Sequence, residues 1–334
     1  MLSATAPLWA GRRHETFEAP TEAGLLRSIA AAFGITPSDP RYPALVNYYV
    51  ALKAKPVVVL AGPATSGKER LACRLAEAIV GQHSEQRQVL AGHPWWATEP
   101  TGAIAQARWN ELKLDVLAEE AAQPENRRRA YFACLRHISP AELDDLSNVA
   151  SPPYPLYPPN VFIAATLDCA QPLEAGEDLL TIATVVWWPF TWPLPEEWPL
   201  ARLNGKGARA FVKSAVRHMP TARRRLRRLF KTLAQPTHAL VEVTGFLAEA
   251  GIALPPAAMG DAMGYLANAW SVEGVGLFQP PAASNVLIAL DFVIAQTILT
   301  RALLQIAERP TLRDVLGGYL RDRFPHSAAF LAAI

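Results

Sequence analysis

The segment Val57–Leu75, VVVLAGPATSGKERLACRL, constrains this chain more than any other. A β-branched run leads into GPATSGKE, and a helical pattern follows it, with Leu71, Leu75, Ala78 and Ile79 on one face. A strand, a glycine-bearing turn and a helix in this order form the context of a phosphate-cradling loop. Gly62 and Gly67 let the backbone approach an anion, inward amides bind it, and Lys68 reaches the terminal phosphates. Gly62, Pro63, Ala64, Thr65, Ser66, Gly67, Lys68 and Glu69 are therefore the candidate nucleotide-binding residues. The last of them breaks the pattern, because a Ser or Thr hydroxyl belongs there to ligand magnesium. A carboxylate can also ligand magnesium. It brings like charge toward the phosphates, however, at a cost on the order of a few kcal/mol at about 4 Å. The expected cofactor is ATP or GTP, weakly held, with magnesium binding impaired.

The rest of the chain supplies an α/β frame for that loop. Helical spacing appears over Thr21–Phe33, Tyr42–Ala54 and Trp109–Ala122. Short apolar runs at Ala130–Leu135, Val161–Leu167 and Thr181–Trp188 read as buried strands. Continuous apolar strands separated by helices predict a parallel sheet covered on both faces. SPPYPLYPPN at Ser151–Asn160 must be a loop, and Pro189–Pro199 reads as a linker. From Ala208 onward the pattern is helical, punctuated by prolines. The expected organisation is a partly helical lead-in over 1–52, an α/β domain over 53–195 and a helical domain over 200–334.

Several stretches, in this order, resemble the McrB-like branch of AAA+ proteins, the motors of modification-dependent restriction. They are KAKPVVVLAGPATSGKERLA (Lys53–Ala72), VLAGHPWW (Val89–Trp96), PPNVFIAATLD (Pro158–Asp168), ALDFVIAQTIL (Ala289–Leu299) and FPHSAAFL (Phe324–Leu331). The resemblance implies a P-loop AAA+ three-layer α/β parallel sheet with a C-terminal all-helical lid. It also predicts where acids and arginines should stand. AYFACLRHISPAEL (Ala130–Leu143) is similar to the Walker B segment, yet Arg136 and His137 end the strand in place of Asp-Glu. An alternative register through LDVLAEEA would use Glu119 and Glu120, but its apolar spacing is helical, so the first register is preferred. Asp168 stands where the sensor-1 asparagine should be. No arginine lies between Asp168 and Trp188, where the family carries its finger, and Pro255–Trp270 contains no basic residue. Such an arginine alone can be worth about three to five powers of ten in rate. The resemblance therefore implies a pseudo-ATPase, a structural or regulatory member of an oligomeric defence assembly. A slow active ATPase or GTPase is the alternative.

Two further features bear on partners. TARRRLRRLFKTLAQ (Thr221–Gln235) is a basic amphipathic helix whose Arg223, Arg224, Arg225, Arg227 and Arg228 could track nucleic-acid phosphates. A solvated face, or one pairing with an acidic neighbour, is the competing explanation. His137 beside Asp144 or Asp145 could be drawn as a catalytic pair, but no nucleophile motif accompanies them. Arg136 could instead place its own charge where magnesium would sit. The formal net charge of +2 is too small to drive nonspecific adhesion to nucleic acid or lipid. Cys73, Cys134 and Cys169 lack metal spacing and read as reduced residues of a cytoplasmic protein. Arg12, Arg13, His14 and Glu15 interrupt the N-terminus too early for a secretion signal. The apolar run Asn285–Ala307 carries Asp291, Gln296 and Arg301, which favours a buried helix over a membrane span.

Overall fold

The structure, a computed structural model, describes residues 21–80, 121–127, 129–139, 158–190, 207–230, 237–278 and 282–334. Val89–Trp96, Glu119, Glu120, Asp144, Asp145, Trp192 and Trp198 lie outside them.

The chain opens with α1 (Glu22–Ala32) and α2 (Arg41–Ala54). The Thr21 hydroxyl caps α1 by accepting from the Gly24 amide at 3.2 Å. Helix α2 buries Tyr42 and every residue from Ala44 to Lys53, and so lies inside the protein. β1 (Val57–Gly62) follows, buried along its whole length. A 3-10 turn over Ala64–Ser66 leads through Gly67 into α3 (Lys68–Val80). β2 (Tyr131–Leu135), β3 (Val161–Asp168), α4 (Glu177–Ile182) and β4 (Ala183–Trp187) complete the α/β part.

The described strands form a parallel sheet in the order β2-β3-β1-β4. Full burial explains their continuous apolar composition, since a parallel strand covered on both faces has no solvent side to alternate with. The fourth strand is shorter than its apolar run. Thr181 and Ile182 belong to α4, and the strand begins only at Ala183. Leu179, Leu180 and Ile182 satisfy the same burial from a helix, so apolarity alone could not place that boundary.

The remaining described residues are helical: α5 (Gly207–Ser214), α6 (Met219–Leu229), α7 (Thr237–Glu249), α8 (Pro256–Asn268) and α9 (Ala282–Val293). A π segment (Ile294–Ile298) and a 3-10 segment (Leu299–Ala302) continue α9 into α10 (Leu303–Ala307), before α11 (Pro310–Leu320) and α12 (Pro325–Ala332). Prolines stand in the first turns of α6, α8, α11 and α12, where a missing amide hydrogen costs nothing. They open helices here. Ser284–Ala307 is long and apolar enough to cross a membrane, but 83% of its most apolar window is buried inside the fold, as in a core helix.

A buried polar network fastens these helices to the α/β part. The Lys53 ammonium bonds the Glu22 carboxylate and the Asn268 carbonyl oxygen at 3.2 Å, while the Ser214 hydroxyl donates to Glu22 at 2.8 Å. Arg217 donates to Val161 O at 3.0 Å and reaches Leu52 O and Lys55 O, and its guanidinium lies over the Phe162 ring. These contacts fall at the N-terminal ends of β1 and β3, the end of the sheet opposite the Gly62–Glu69 loop.

Candidate phosphate-loop site

Both glycines of the loop have conformational reasons to be there. A Cβ on Gly62 would meet the Trp188 carbonyl oxygen at 2.1 Å, inside any tolerable contact. That carbonyl is held close because the Trp188 amide donates to Ala61 O at 2.7 Å. Gly67 adopts φ 72°, the left-handed region that glycine enters without penalty. The spacing of the two glycines is thus required by the backbone path itself. Whether phosphate can bind depends on what surrounds Lys68.

Lys68 is fully buried and already engaged. Its ammonium donates to Pro63 O at 2.9 Å and to Asp168 Oδ1 at 2.5 Å, and stands 3.2 Å from Glu69 Oε1. Two hydrogen bonds and one further ion-pair contact therefore surround the ammonium. Asp168 can reach it because β3 lies beside β1 in a register that pairs Gly62 with Asp168. Burial would raise the Asp168 carboxyl, but the Lys68 hydrogen bond and charge, with a smaller contribution from His137, outweigh it and hold the group below its ordinary value.

His137 completes the arrangement. Its Nδ1 lies 3.4 Å from Asp168 Oδ2 and 4.0 Å from Glu69 Oε1. Its backbone has φ 52°, the one non-glycine positive φ among the described residues. For a residue with a Cβ that conformation costs on the order of 1–3 kcal/mol and must be enforced by its surroundings. Thr166 enforces it: the hydroxyl accepts from the His137 amide at 3.0 Å and the carbonyl from the Ile138 amide at 2.9 Å. The chain leaving β2 is thereby turned so that His137 faces the two carboxylates. Arg136, half-buried, immediately precedes it.

Glu69, His137 and Asp168 offer ligand atoms all within 4.8 Å of one another, a set able to hold a divalent ion. A magnesium nucleotide fits less well. The Ser66 hydroxyl is buried without a hydrogen-bond partner among the described residues, and the start of α3 offers amides. Two carboxylates nevertheless stand where phosphate oxygens would meet Lys68. As arranged, the site carries its own anions.

The basic stripe divides in two. Arg223, Arg224, Arg227 and Arg228 are exposed on α6. Arg225 turns inward and donates to Ser214 O at 2.9 Å, to Trp270 O at 2.7 Å and to Ser271 O. It fastens α6 to the end of α8 and is not free to meet a nucleic acid. On the sheet side, Trp187 and Trp188 are core residues. Cys73 and Cys134 are free thiols with Sγ atoms 3.4 Å apart, joining α3 to β2.

Sequence reasoning named Asp168, Glu69 and His137 separately and missed that they converge. The parallel pairing of β1 with β3 could not be read from single runs of apolar residues.

No protein-family model matches the chain, and no curated protein matches it. Among solved structures, a chain from Drosophila ORC bound to GC-rich DNA and Cdc6 is 13% identical, with 84% of this chain and 99% of that one covered, at a TM-score of 0.25. A chain from Drosophila ORC bound to AT-rich DNA and Cdc6 is 15% identical, with 81% and 93% covered, at a TM-score of 0.23.

Proposed function

We propose that this protein is a catalytically degenerate AAA+-type subunit, a cytoplasmic pseudo-ATPase with a structural or regulatory role in a multi-protein assembly. One observation carries the reading. The Lys68 ammonium, which a working loop presents to phosphate, is held by Asp168 and Glu69. A cation already paired in a buried position gives a nucleotide less than a free one, because the incoming phosphate must first displace a carboxylate.

Phosphoryl transfer needs positioned positive charge around the leaving and transferring oxygens. Here Glu69 follows the lysine, Asp168 ends the strand beside it and His137 faces both. The two carboxylates add negative charge near Lys68, and with His137 they brace the loop from within. The loop then serves as a rigid joint between β1, β3 and α3. The McrB-like resemblance suggests that the assembly acts in defence against foreign DNA, with DNA reading and hydrolysis supplied by partner chains. ATP and GTP are the nucleotides to try.

Equilibrium titration with labelled ATP and GTP, with and without magnesium, tests the reading together with phosphate release. Weak binding and no turnover are expected. Turnover that disappears in Lys68→Ala would overturn it. The convergence of Glu69, His137 and Asp168 favours a second reading, a slow metal-dependent nucleotidase. That alternative requires turnover stimulated by manganese or zinc and lost in His137→Ala.

A further inference from the structure

At the end of the sheet opposite the phosphate loop lies a cavity of about 350 Å³, between the start of β1, the α4–β4 junction and helices α6 and α8. Its size falls within the range of small-molecule sites, roughly 300–1,000 Å³. Three cations line it, Lys55, Arg217 and Arg301, against one carboxylate, Asp261.

Their partners are unequally shared. Lys55 stands 2.5 Å from Asp261 Oδ1, and Arg301 bonds Asp261 Oδ2 at 2.7 Å and Glu177 at 2.8 Å. Among the described residues Arg217 hydrogen-bonds only to backbone carbonyl oxygens and lies over the Phe162 ring, and its Nε is buried without an acceptor. A guanidinium lining a cavity with no carboxylate beside it is an electrostatic vacancy for an anion.

A second observation points the same way. Gln296, only 4% exposed, lines the same cavity, and its Nε2 has no hydrogen-bond partner. The Tyr265 hydroxyl donates to Asn47 Oδ1 at 2.5 Å; its oxygen could accept from that amide, but the two do not meet in hydrogen-bond geometry. A buried amide left unsatisfied costs about 1–3 kcal/mol, so it persists where something else satisfies it. Gln296 sits in the middle of the π segment, an irregularity that recurs at binding sites. Ala183, Val216, Ala222 and Ala257 give the cavity apolar wall.

We infer that this cavity binds a small organic anion, one carboxylate or phosphate group on a short apolar body, with Arg217 and Gln296 as the recognising donors. Bound there, the ligand would bridge the strand starts and the helices α6 and α8, and so tighten the junction between the two parts of the chain.

Calorimetric and thermal-shift titrations with butyrate, butyl phosphate and the neutral isostere butyramide test this. Saturable binding and a raised Tm are expected with at least one anion, and the stronger of the two identifies the headgroup. Butyramide and matched sodium chloride should do nothing. Gln296→Leu should leave the unliganded Tm unchanged or higher while weakening the anion about tenfold, as loss of one hydrogen bond to a charged group would. Gly260→Leu fills the cavity from the opposite wall, where a Cβ meets only the Met219 sulfur at 4.0 Å, and should abolish binding. The idea is overturned by the absence of saturable binding, by equal binding of butyramide, by undiminished binding in both variants, or by displacement with excess ATP, which would place the anion at the phosphate loop.

Discussion

If Asp168 holds Lys68 away from phosphate, Asp168→Asn should make the protein a better nucleotide binder. Asparagine keeps the size and a carbonyl acceptor for the ammonium but removes the charge. A phosphate oxygen bonded to Lys68 would lie about 4 Å from the Asp168 carboxylate. Two unit charges at that spacing repel by about 4 kcal/mol at an effective dielectric of 20. Asp168 is 42% exposed, so solvent screening reduces this to about 1–2 kcal/mol, a roughly five- to thirty-fold gain in affinity. The assay is fluorescence titration of labelled ATP and GTP at low salt, without magnesium to avoid metal capture by the same carboxylate. Lys68→Ala in the Asp168→Asn background should remove the gain. Because the Asp168 carboxyl lies below its ordinary value of 3.8, it stays charged throughout pH 5–8, and its block on nucleotide should not vary there. Asp168→Asn binding no more tightly than the parent would refute the claim that the carboxylate occludes the loop.

Other consequences concern stability and the basic helix. Gly62→Ala should destabilise by about 1–3 kcal/mol in urea unfolding, since the new methyl group meets the Trp188 carbonyl oxygen at 2.1 Å. Lys53 is pushed down to about 8 by burial, only partly offset by Glu22. The unfolded chain therefore binds more protons between about pH 8 and 10, stability should rise across that window, and Lys53→Met should flatten the slope. His326, packed on the Phe292 ring at 4.3 Å, is pushed down to about 4 by burial, so its contribution to stability should be lost as pH falls from 6.5 toward 4. His326→Phe should remove that component in pH-dependent thermal melts. If α6 meets nucleic acid, neutralising Arg223, Arg224, Arg227 and Arg228 together should flatten the salt dependence of binding, measured by anisotropy from 50 to about 200 mM salt. Binding unchanged by those substitutions would leave the stripe as a solvated face.

What the sequence could and could not reveal divides along a physical line. Local signals held: the run from Val57 marked a strand, turn and helix, the apolar runs marked covered strands, and the polar interruptions of Asn285–Ala307 marked a core helix. Each depends on neighbours a few residues away. The chemistry of the site depends on a pairing of distant residues, Gly62 opposite Asp168, which no local pattern encodes. The same pairing changes the meaning of two substitutions. Taken singly, Glu69 for a hydroxyl and Asp168 for an asparagine are two independent losses from a hydrolytic site. Brought together at Lys68, they are counter-charges for one buried ammonium that would otherwise lack them once phosphate is gone. A buried lysine left without an anion costs several kcal/mol, so a loop that has stopped holding nucleotide needs a substitute for it. On this argument Asp168 and Glu69 are compensating residues. It follows that Asp168→Ala with Glu69→Ala should lower stability together by more than either alone predicts, and that saturating nucleotide should recover part of that loss. Additive effects in urea unfolding, with no recovery by ATP or GTP, would separate the two acids again and return them to unrelated changes.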